Sequence, residues 1–119
     1  MATSTTEQQV DEVLHAVADP TRRGILRLVR DREVSAGELA GHFPGISRPA
    51  VSQHLRVLTA AGLLAVRREG NRRLYRLRPA GLTEASRFFD DLWTDRLGRL
   101  KRAAERAERQ RTNDTEGPA

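Results

Sequence analysis

The signals that begin and end helices between residues 35 and 62 constrain the fold of this chain more than any other feature. The sequence SAGE starting at Ser35 is a capping box, in which a serine hydroxyl and a glutamate carboxylate each accept a hydrogen bond from an otherwise unpaired backbone amide. It predicts a short helix that ends near residue 42. A Pro-Gly pair then predicts a tight corner, Ser47 predicts the start of a second helix, and Gly62 predicts its end.

The predicted helix 47–61 has two chemically distinct faces. Val51, Leu55 and Leu58 recur at the spacing of one helix face, which predicts a buried stripe. The opposite face carries Arg48, Pro49, Ser52, Gln53 and Arg56. This face is polar and contains no acidic residue. A helix face that only meets water usually mixes its charges, so the pattern indicates contact with an anionic partner.

A hairpin rich in arginine is predicted directly after this helix, over residues 64–78, with Gly70-Asn71 as its turn. The tip of the hairpin is flanked by Arg67, Arg68, Arg72 and Arg73. Residues 44–78 contain eight arginines and one acidic residue, in a chain whose net charge is +5. Such a focused patch attracts a polyanion, of which nucleic acid is the first candidate. The alternative is that these arginines are solvated and only keep the protein soluble.

The order of the predicted elements is that of a winged helix-turn-helix fold, which is mainly α-helical with a small β-hairpin. The helices outside the central pair are predicted at about residues 7–17, 20–32 and 83–110. This makes five helices in all. Asp19 is the predicted N-cap of the second of these, with a proline at its first position. The predicted organisation is one domain over residues 7–110 between disordered tails at 1–6 and 111–119.

The second helix of a helix-turn-helix pair lies in the major groove of DNA and touches base edges with its N-terminal half. Arg48 can donate two hydrogen bonds to guanine O6 and N7, and Gln53 can pair with adenine N6 and N7. Ser52 can reach a base or a phosphate, and Ser47 with the helix N-terminus offers backbone amides to a phosphate. The arginines of the hairpin can follow the DNA backbone or enter the neighbouring minor groove. The predicted partner is therefore double-stranded DNA.

Several protein classes are disfavoured by what the sequence lacks. It contains no cysteine, which excludes disulfides, thiolate metal sites and cysteine nucleophiles. Its three histidines have no nearby nucleophile in a loop, and there is no glycine-rich phosphate loop, so we predict no catalytic residues, no cofactor and no enzymatic activity. Residues 1–9 do not resemble a signal peptide, and the apolar runs are too short to span a membrane. We expect a soluble, cytoplasmic protein with no membrane partner.

Three stretches of the chain resemble the ArsR/SmtB (arsenic-repressor) family of bacterial transcriptional regulators. They read ADPTRRGILRLV at 18–29, VSAGELAGHFPGISRPAVSQHLRVLTAAGLL at 34–64 and VRREGNRRLYRL at 66–77. The resemblance covers roughly residues 7–105. It implies homodimers that pair through their first and last helices and repress by occupying operator DNA. It also implies that Arg48, Pro49, Ser52 and Gln53 read the groove, and that the arginines around Gly70 form the wing contacts.

The sequence departs from this family where metals are sensed. The family's metal-sensing members use cysteines at the start of the short helix, or aspartate, histidine and glutamate ligands on the last helix. Here the short helix contains no cysteine and the last helix contains no histidine. Asp90, Asp91 and Asp95 are interpreted as partners of arginines one turn away, and Asp11 with His15 as a solvated pair. We therefore predict no metal site and a signal that is an organic ligand, a partner protein or the protein's own concentration.

The last helix carries more apolar surface than a small domain can cover, so we expect a second copy of the chain to bury it. The alternative is that its apolar stripe packs only on its own domain. The predicted dimer interface consists of Val10, Val13, Leu14, Val17, Phe88, Phe89, Leu92, Trp93, Leu97 and Leu100. A two-fold dimer predicts an operator with inverted half-sites about one helical turn apart.

The leading prediction is a homodimeric, sequence-specific repressor that binds DNA through helix 47–61 and the wing at 64–78. One alternative is a ligand- or metal-responsive sensor whose effector site lies between the first and last helices. Another alternative is an architectural protein that binds DNA without sequence preference. The two DNA-binding readings differ in the affinity ratio between the protein's own promoter and shuffled DNA, which is about 10³ or more for a specific regulator.

Overall fold

The computed structural model describes residues 2–115, apart from the side chains of residues 2–4, 95 and 113–115. The elements follow one another as α1 (Ala2–Val17), α2 (Pro20–Leu28), β1 (Val34–Ser35), α3 (Ala36–Gly41), α4 (Arg48–Ala60), β2 (Leu64–Glu69), β3 (Arg72–Leu77), a 3₁₀ turn (Pro79–Leu82) and α5 (Thr83–Thr115). This is the predicted winged helix-turn-helix order with its five α-helices, and the predicted fold class is confirmed. The chain divides after Ser86 into two compact units.

Three helices begin at the capping residues that the sequence predicts. The side chains of Asp19, Ser35 and Ser47 each accept a hydrogen bond from the backbone amide three residues later, at 3.0, 3.1 and 3.2 Å. Each cap therefore satisfies one of the amides that a helix leaves unpaired at its N-terminus. The starts of α2, α3 and α4 are thus fixed by local chemistry.

The ends of the outer helices differ from the prediction. Helix α1 begins at Ala2 rather than near residue 7, because no glycine or proline there stops the helix. Helix α2 ends at Leu28 rather than near residue 32. Helix α5 continues to Thr115, past the predicted end near residue 110, although its apolar stripe has ended by then. The rest of the predicted C-terminal tail, residues 116–119, lies outside the described residues.

The sheet contains the predicted hairpin and one strand that was not predicted. β2 and β3 pair antiparallel from Leu64 opposite Leu77 to Glu69 opposite Arg72, and β1 pairs with the other edge of β3. Gly70 at the turn has a φ of 61°, and Asn71 after it does not have a positive φ, as in a type II′ turn. The two-residue strand β1 was missed because its second residue is also the cap of α3.

The core of the first unit is built from buried side chains of all its helices and strands. It consists of Val13, Ala16, Ile25, Val29, Val34, Leu39, Val51, Leu55, Leu58, Leu63, Leu64, Tyr75 and Ala85. The predicted buried stripe of the second helix of the pair is part of this core. Val13, one of the residues predicted for the dimer interface, is only 4% exposed and packs inside its own subunit. Val10, Leu14 and Val17 are half-buried and stay candidates for that interface.

One glycine is required where two turns of the chain meet. A Cβ atom on Gly81, in the 3₁₀ turn, would lie 2.0 Å from the carbonyl oxygen of Gly62. Gly62 itself ends the α4 segment with a φ of 79°, which disfavours any residue with a Cβ. The close approach of these two backbones fixes where the chain leaves the hairpin and enters α5.

The second unit begins at Arg87 and, as far as the structure describes it, is the remainder of α5. Six large apolar side chains of this segment are between 43% and 59% exposed: Phe88, Phe89, Leu92, Trp93, Leu97 and Leu100. The described helices include none that combines the length and the apolar character needed to cross a membrane. The predicted single domain over residues 7–110 stays a prediction.

Candidate nucleic-acid interface

Helix α4 is held from one side, and this sets which of its residues are presented. Val51, Leu55 and Leu58 are at most 3% exposed, and the helix contacts α1, α2, α3 and β2. The residues that the sequence assigns to DNA lie on the opposite, exposed face or at the cap: Ser47, Arg48, Pro49, Ser52, Gln53 and Arg56. The structure therefore brings the candidate residues of this helix together on one accessible surface.

Arg48 stands at the N-terminus of α4 beside a shallow groove. Ala36, Gly37 and Ala40 of α3 form the opposite wall of this groove, and these small residues leave space above them. Within the described part of the chain, the guanidinium of Arg48 makes no hydrogen bond and no salt bridge. All five of its N–H donors are therefore available to an external acceptor.

Gln53 and Arg56 are joined to each other on this face. Arg56 donates from Nε and Nη2 to Oε1 of Gln53, at 3.2 and 2.8 Å. These two bonds occupy both lone pairs of the amide oxygen and leave the Nε2 donors of Gln53 available. Reading an adenine with both ends of the amide therefore requires Arg56 to move away, a coupling that the sequence did not reveal.

Arg22 ties α4 to the junction of the first two helices. Its Nε donates to the carbonyl of Ala16 at 2.7 Å, its Nη2 donates to the carbonyl of His15 at 3.0 Å, and its Nη1 lies 3.2 Å from Nδ1 of His54. His54 belongs to α4 and has a side chain that is 20% exposed. Sequence reasoning missed Arg22. The available signal was an arginine placed just after the end of α1, where the last helical carbonyls lack partners.

Asp19, the N-cap of α2, supplies a negative charge at this junction. The pKa of the Asp19 carboxyl lies below its ordinary value of 3.8, mainly because it accepts a hydrogen bond from the backbone amide of Arg22. The nearby His54 and the guanidinium of Arg22 act in the same direction, and Nδ1 of His54 lies 3.9 Å from Oδ2 of Asp19. Asp19 is thus held in its ionised form as a cap.

The strand register separates the four arginines of the wing onto two faces. Arg68 lies directly opposite Arg73, whereas Arg67 lies opposite Leu74 and Arg72 opposite Glu69. Since successive side chains of a strand point to opposite faces, Arg68 and Arg73 share one face and Arg67 and Arg72 share the other. All four side chains are exposed, but they do not form a single surface.

Arg67 differs from its neighbours because acidic residues hold it. It donates from Nε and Nη2 to the two carboxylate oxygens of Glu33, at 3.0 and 3.1 Å, and from Nη2 to Glu69 at 3.1 Å. These bonds hold the pKa of Glu33 below its ordinary value and raise that of Arg67. By contrast, Arg68, Arg72 and Arg73 make no hydrogen bond or salt bridge to any residue that the structure describes.

The histidines and carboxylates do not gather into a metal-binding group in the described part of the chain, where no three of them come close enough to hold an ion. Glu38 pairs with Arg32, which lowers its pKa, and Nε2 of His42 lies 4.0 Å from the same carboxylate. Glu38 is therefore an ion-pair partner of Arg32.

Comparison with known proteins agrees with this geometry. A family profile described as a helix-turn-helix domain matches residues 17–67. The chain is 44% identical over 92 residues to the HTH-type transcriptional regulator Rv2034 of Mycobacterium tuberculosis, an alignment that covers 77% of this chain and 85% of that protein. It is 37% identical over 76 residues to the transcriptional repressor SdpR of Bacillus subtilis, covering 64% and 83%.

A solved structure shares the fold. It is the homodimeric winged helix-turn-helix DNA-binding domain of Mb0332 from Mycobacterium bovis, described as a possible ArsR-family transcriptional regulator. The two structures align with a TM-score of 0.60 and 27% identity, over 84% of this chain and 89% of that domain. The chain is also 30% identical over 91 residues to the arsenical resistance operon repressor of Staphylococcus xylosus, covering 76% of this chain and 86% of that protein. Sequence and fold lead to one conclusion: the chain belongs to the ArsR/SmtB family of winged helix-turn-helix transcriptional regulators.

Proposed function

We propose that this protein is a homodimeric repressor that reads an inverted-repeat operator with the N-terminal half of α4 and holds the DNA backbone with its wing. The observation that carries the proposal is the exposed face of α4, which has hydrogen-bonding side chains, no acidic residue and an arginine without a partner in the described chain. Buried apolar residues on the opposite side fix this face in place. Such a face suits the major groove, where base edges present acceptors and donors.

The residues of the interface have different roles in this proposal. Arg48 donates to guanine O6 and N7, Ser52 and the linked pair of Gln53 and Arg56 contact neighbouring base edges, and Ser47 with Pro49 places the helix N-terminus against a phosphate. The wing arginines contact phosphates or the adjacent minor groove. These residues are Arg67, Arg68, Arg72 and Arg73. The protein would act on DNA in the cytoplasm and would carry no catalytic activity.

The first test separates base reading from backbone contact. Genomic fragments would be selected on the purified protein, and the best site would be footprinted to reveal two inverted half-sites. We expect Arg48→Ala to weaken operator binding by about 1–3 kcal/mol and to abolish the preference for one particular base pair in each half-site. Arg72→Ala should weaken operator and shuffled DNA alike and reduce the salt slope by about one.

Arg27→Ala is a matched control, because Arg27 is an exposed arginine on α2 outside both DNA-binding elements. It should leave operator affinity within about twofold of the wild type, given the small weight of one distant charge in salt. If Arg48→Ala and Arg72→Ala lowered affinity equally on operator and on shuffled DNA, the division of roles would be wrong. An operator-to-shuffled affinity ratio near one would favour the architectural DNA binder.

The exposed stripe of α5 supports the homodimer. Large apolar side chains such as Phe89, Leu92 and Trp93 are about half exposed in the single chain. Contiguous apolar surface of this kind marks an interaction site in a soluble protein. We assign it to a second copy, with Val10, Leu14 and Val17 of α1 adding to the interface.

The single tryptophan makes dimerisation directly measurable. Trp93 is the only tryptophan in the chain, so its emission reports on the stripe alone. We expect the emission to shift to longer wavelength on dilution, together with a fall in mass by sedimentation from two chains to one. Leu92→Glu should shift both transitions to at least about tenfold higher concentration, because it places a charge in an apolar contact.

Thr94→Glu is the matched control, since it adds the same charge to an exposed residue of α5 away from the stripe. It should leave the dimer intact. A chain that sediments as one copy at all concentrations, with unchanged tryptophan emission, would refute the homodimer without touching the assignment of α4 to DNA.

A further inference from the structure

Among the wing arginines, Arg67 is set apart by the two carboxylates that hold it. Its Nε and Nη2 face both oxygens of Glu33 in a two-bond, fork-like geometry, and Nη2 also reaches Glu69. Charge-assisted bonds of this geometry are among the strongest that side chains form. The side chain of Arg67 is nevertheless 55% exposed, so an external anion can reach it.

The pairing crosses the whole sheet. Arg67 on β2 lies opposite Leu74 on β3, which in turn lies opposite Ser35 on β1. Glu33 precedes Ser35 by two residues, and residues two apart in an extended segment share a face. The side chain of Arg67 must therefore extend over β3 to reach Glu33. The contact joins the wing to the segment between α2 and α3.

The charge around Arg67 is lower than the number of wing arginines suggests. Arg67 contributes one positive charge, but Glu33 and Glu69 contribute two negative charges at hydrogen-bonding distance. Arg72 on the same face and Arg76 near Glu33 still attract a phosphate, whereas the two carboxylates offset the charge of Arg67. To bind that phosphate, Arg67 would have to give up its bonds to Glu33.

We infer that Glu33 sets the affinity of the wing for DNA, by holding Arg67 in competition with the phosphate backbone. The inference rests on the proposed function, because it assumes that the wing meets DNA. Its consequence is selectivity. Non-specific binding depends essentially on attraction to the phosphates, and a restrained Arg67 lowers that attraction. Base reading by α4 then makes up a larger share of the affinity for the operator.

Glu33, rather than Glu69, is the controlling partner. Glu33 accepts two bonds from Arg67 and lies outside the wing, where it is fixed next to β1. Glu69 accepts one bond, sits at the tip of the same hairpin and is more exposed. Arg76 also lies near enough to Glu33 to favour its charged form, so the carboxylate remains available to Arg67.

The test is a salt titration of DNA binding by Glu33→Gln. The amide keeps the shape of the side chain but removes the charge that competes with phosphate. We expect affinity for operator and for shuffled DNA to rise by roughly three- to tenfold near 0.1 M salt, and the slope of log affinity against log salt to steepen by about 0.9, which is the value of one added phosphate contact.

Asp31→Asn is the matched control. Asp31 carries the same charge two residues away and pairs with Arg30, which is not a wing residue. It should change affinity by less than about twofold, as expected for a distant screened charge, and should leave the slope unchanged. Equal effects of the two substitutions would overturn the inference, because Glu33 would then act only as diffuse negative charge.

Arg67→Ala in both backgrounds completes the test. In the wild type it should lower DNA affinity by a smaller factor than Arg72→Ala does, because Glu33 already opposes the contact of Arg67 with phosphate. In the Glu33→Gln background it should lower affinity further, by the whole of the gain, a coupling that a double-mutant cycle measures. An equal loss in both backgrounds would overturn the inference. If Arg48→Ala and Arg72→Ala also left DNA binding unchanged, the proposed function itself would fail, so the two failures are distinguishable. A wild-type circular dichroism spectrum and a single cooperative thermal transition for each variant would show that the fold is intact.

Discussion

The recognition helix α4 and the wing present arginines to the same proposed partner, but different forces hold them in place. In α4, three apolar side chains are buried against four other elements. In β2 of the wing, the side chains after Leu64 are exposed, and the strand is held by its backbone pairing and by the bonds from Arg67 to Glu33.

This difference decides how much of the positive charge is free to bind. Because apolar burial fixes α4, Arg48 is not needed for structure and has no partner in the described chain. In the wing, one of the charged side chains is itself part of the structure. Counting arginines therefore measures the binding capacity of α4 more faithfully than that of the wing.

The largest expected difference between α4 and the wing is in the free energy of unfolding of variants with truncated side chains. Leu58 is fully buried on α4, and Val66 is 44% exposed on the wing. Leu58→Ala should lower the free energy of unfolding by about 2–5 kcal/mol, because it removes buried apolar contacts and leaves a cavity. Val66→Ala should change it by no more than about 0.5 kcal/mol. Urea unfolding followed by circular dichroism, at one fixed protein concentration, measures both.

Ala50→Gly serves as a control for helix propensity, since Ala50 is a half-buried residue of the same helix that is outside the core. It should lower stability by less than about 1 kcal/mol, the usual difference between glycine and alanine inside a helix, because Ala50 lies in the first turn of α4. Losses of equal free energy of unfolding from Leu58→Ala and Val66→Ala would contradict this expectation. They would mean that β2 is as well packed as α4.

Much of the fold could be predicted because its signals are local. A capping side chain binds an amide three residues away, and a tight turn is set by its two central residues. A buried stripe repeats within a single helix. Asp19, Ser35, Ser47 and Gly70 were identified for this reason. The outer ends of α1 and α5 were missed because the apolar pattern ends before the helix does.

The site was predictable in place but not in its internal pairing. The face of α4 and the arginine-rich tip follow from periodicity and charge. The bonds of Arg67 to Glu33 and of Arg22 to His54 join residues 34 and 32 positions apart, and no local rule connects them. The burial of Val13 was also missed, since an apolar stripe does not say whether it faces its own core or a partner.

The smallest expected effect is on the pH dependence of stability, where α4 and the wing should also differ. Helix α4 is held by apolar side chains, which do not titrate. The wing is held in part by Glu33, whose pKa is lowered from 4.5 chiefly by the hydrogen bonds from Arg67. A carboxylate with a depressed pKa stabilises the folded state above its ordinary pKa, because the unfolded form takes up the proton first as the pH falls. The difference in stability between wild type and Glu33→Gln should therefore be constant from pH 7 to about 5.5 and shrink below 4.5.

Urea unfolding of the two proteins between pH 7 and 3 measures this difference, and Arg67→Ala supplies the reference. Without the guanidinium, the largest cause of the shift is gone, so Glu33→Gln should alter stability by nearly the same amount at every pH. If the two curves ran parallel in the presence of Arg67 as well, folding would not favour the charged form of Glu33. The wing would then be held by backbone pairing and by its two core residues, Leu64 and Tyr75, and Arg67 would be as free to bind a phosphate as Arg48 is to bind a base.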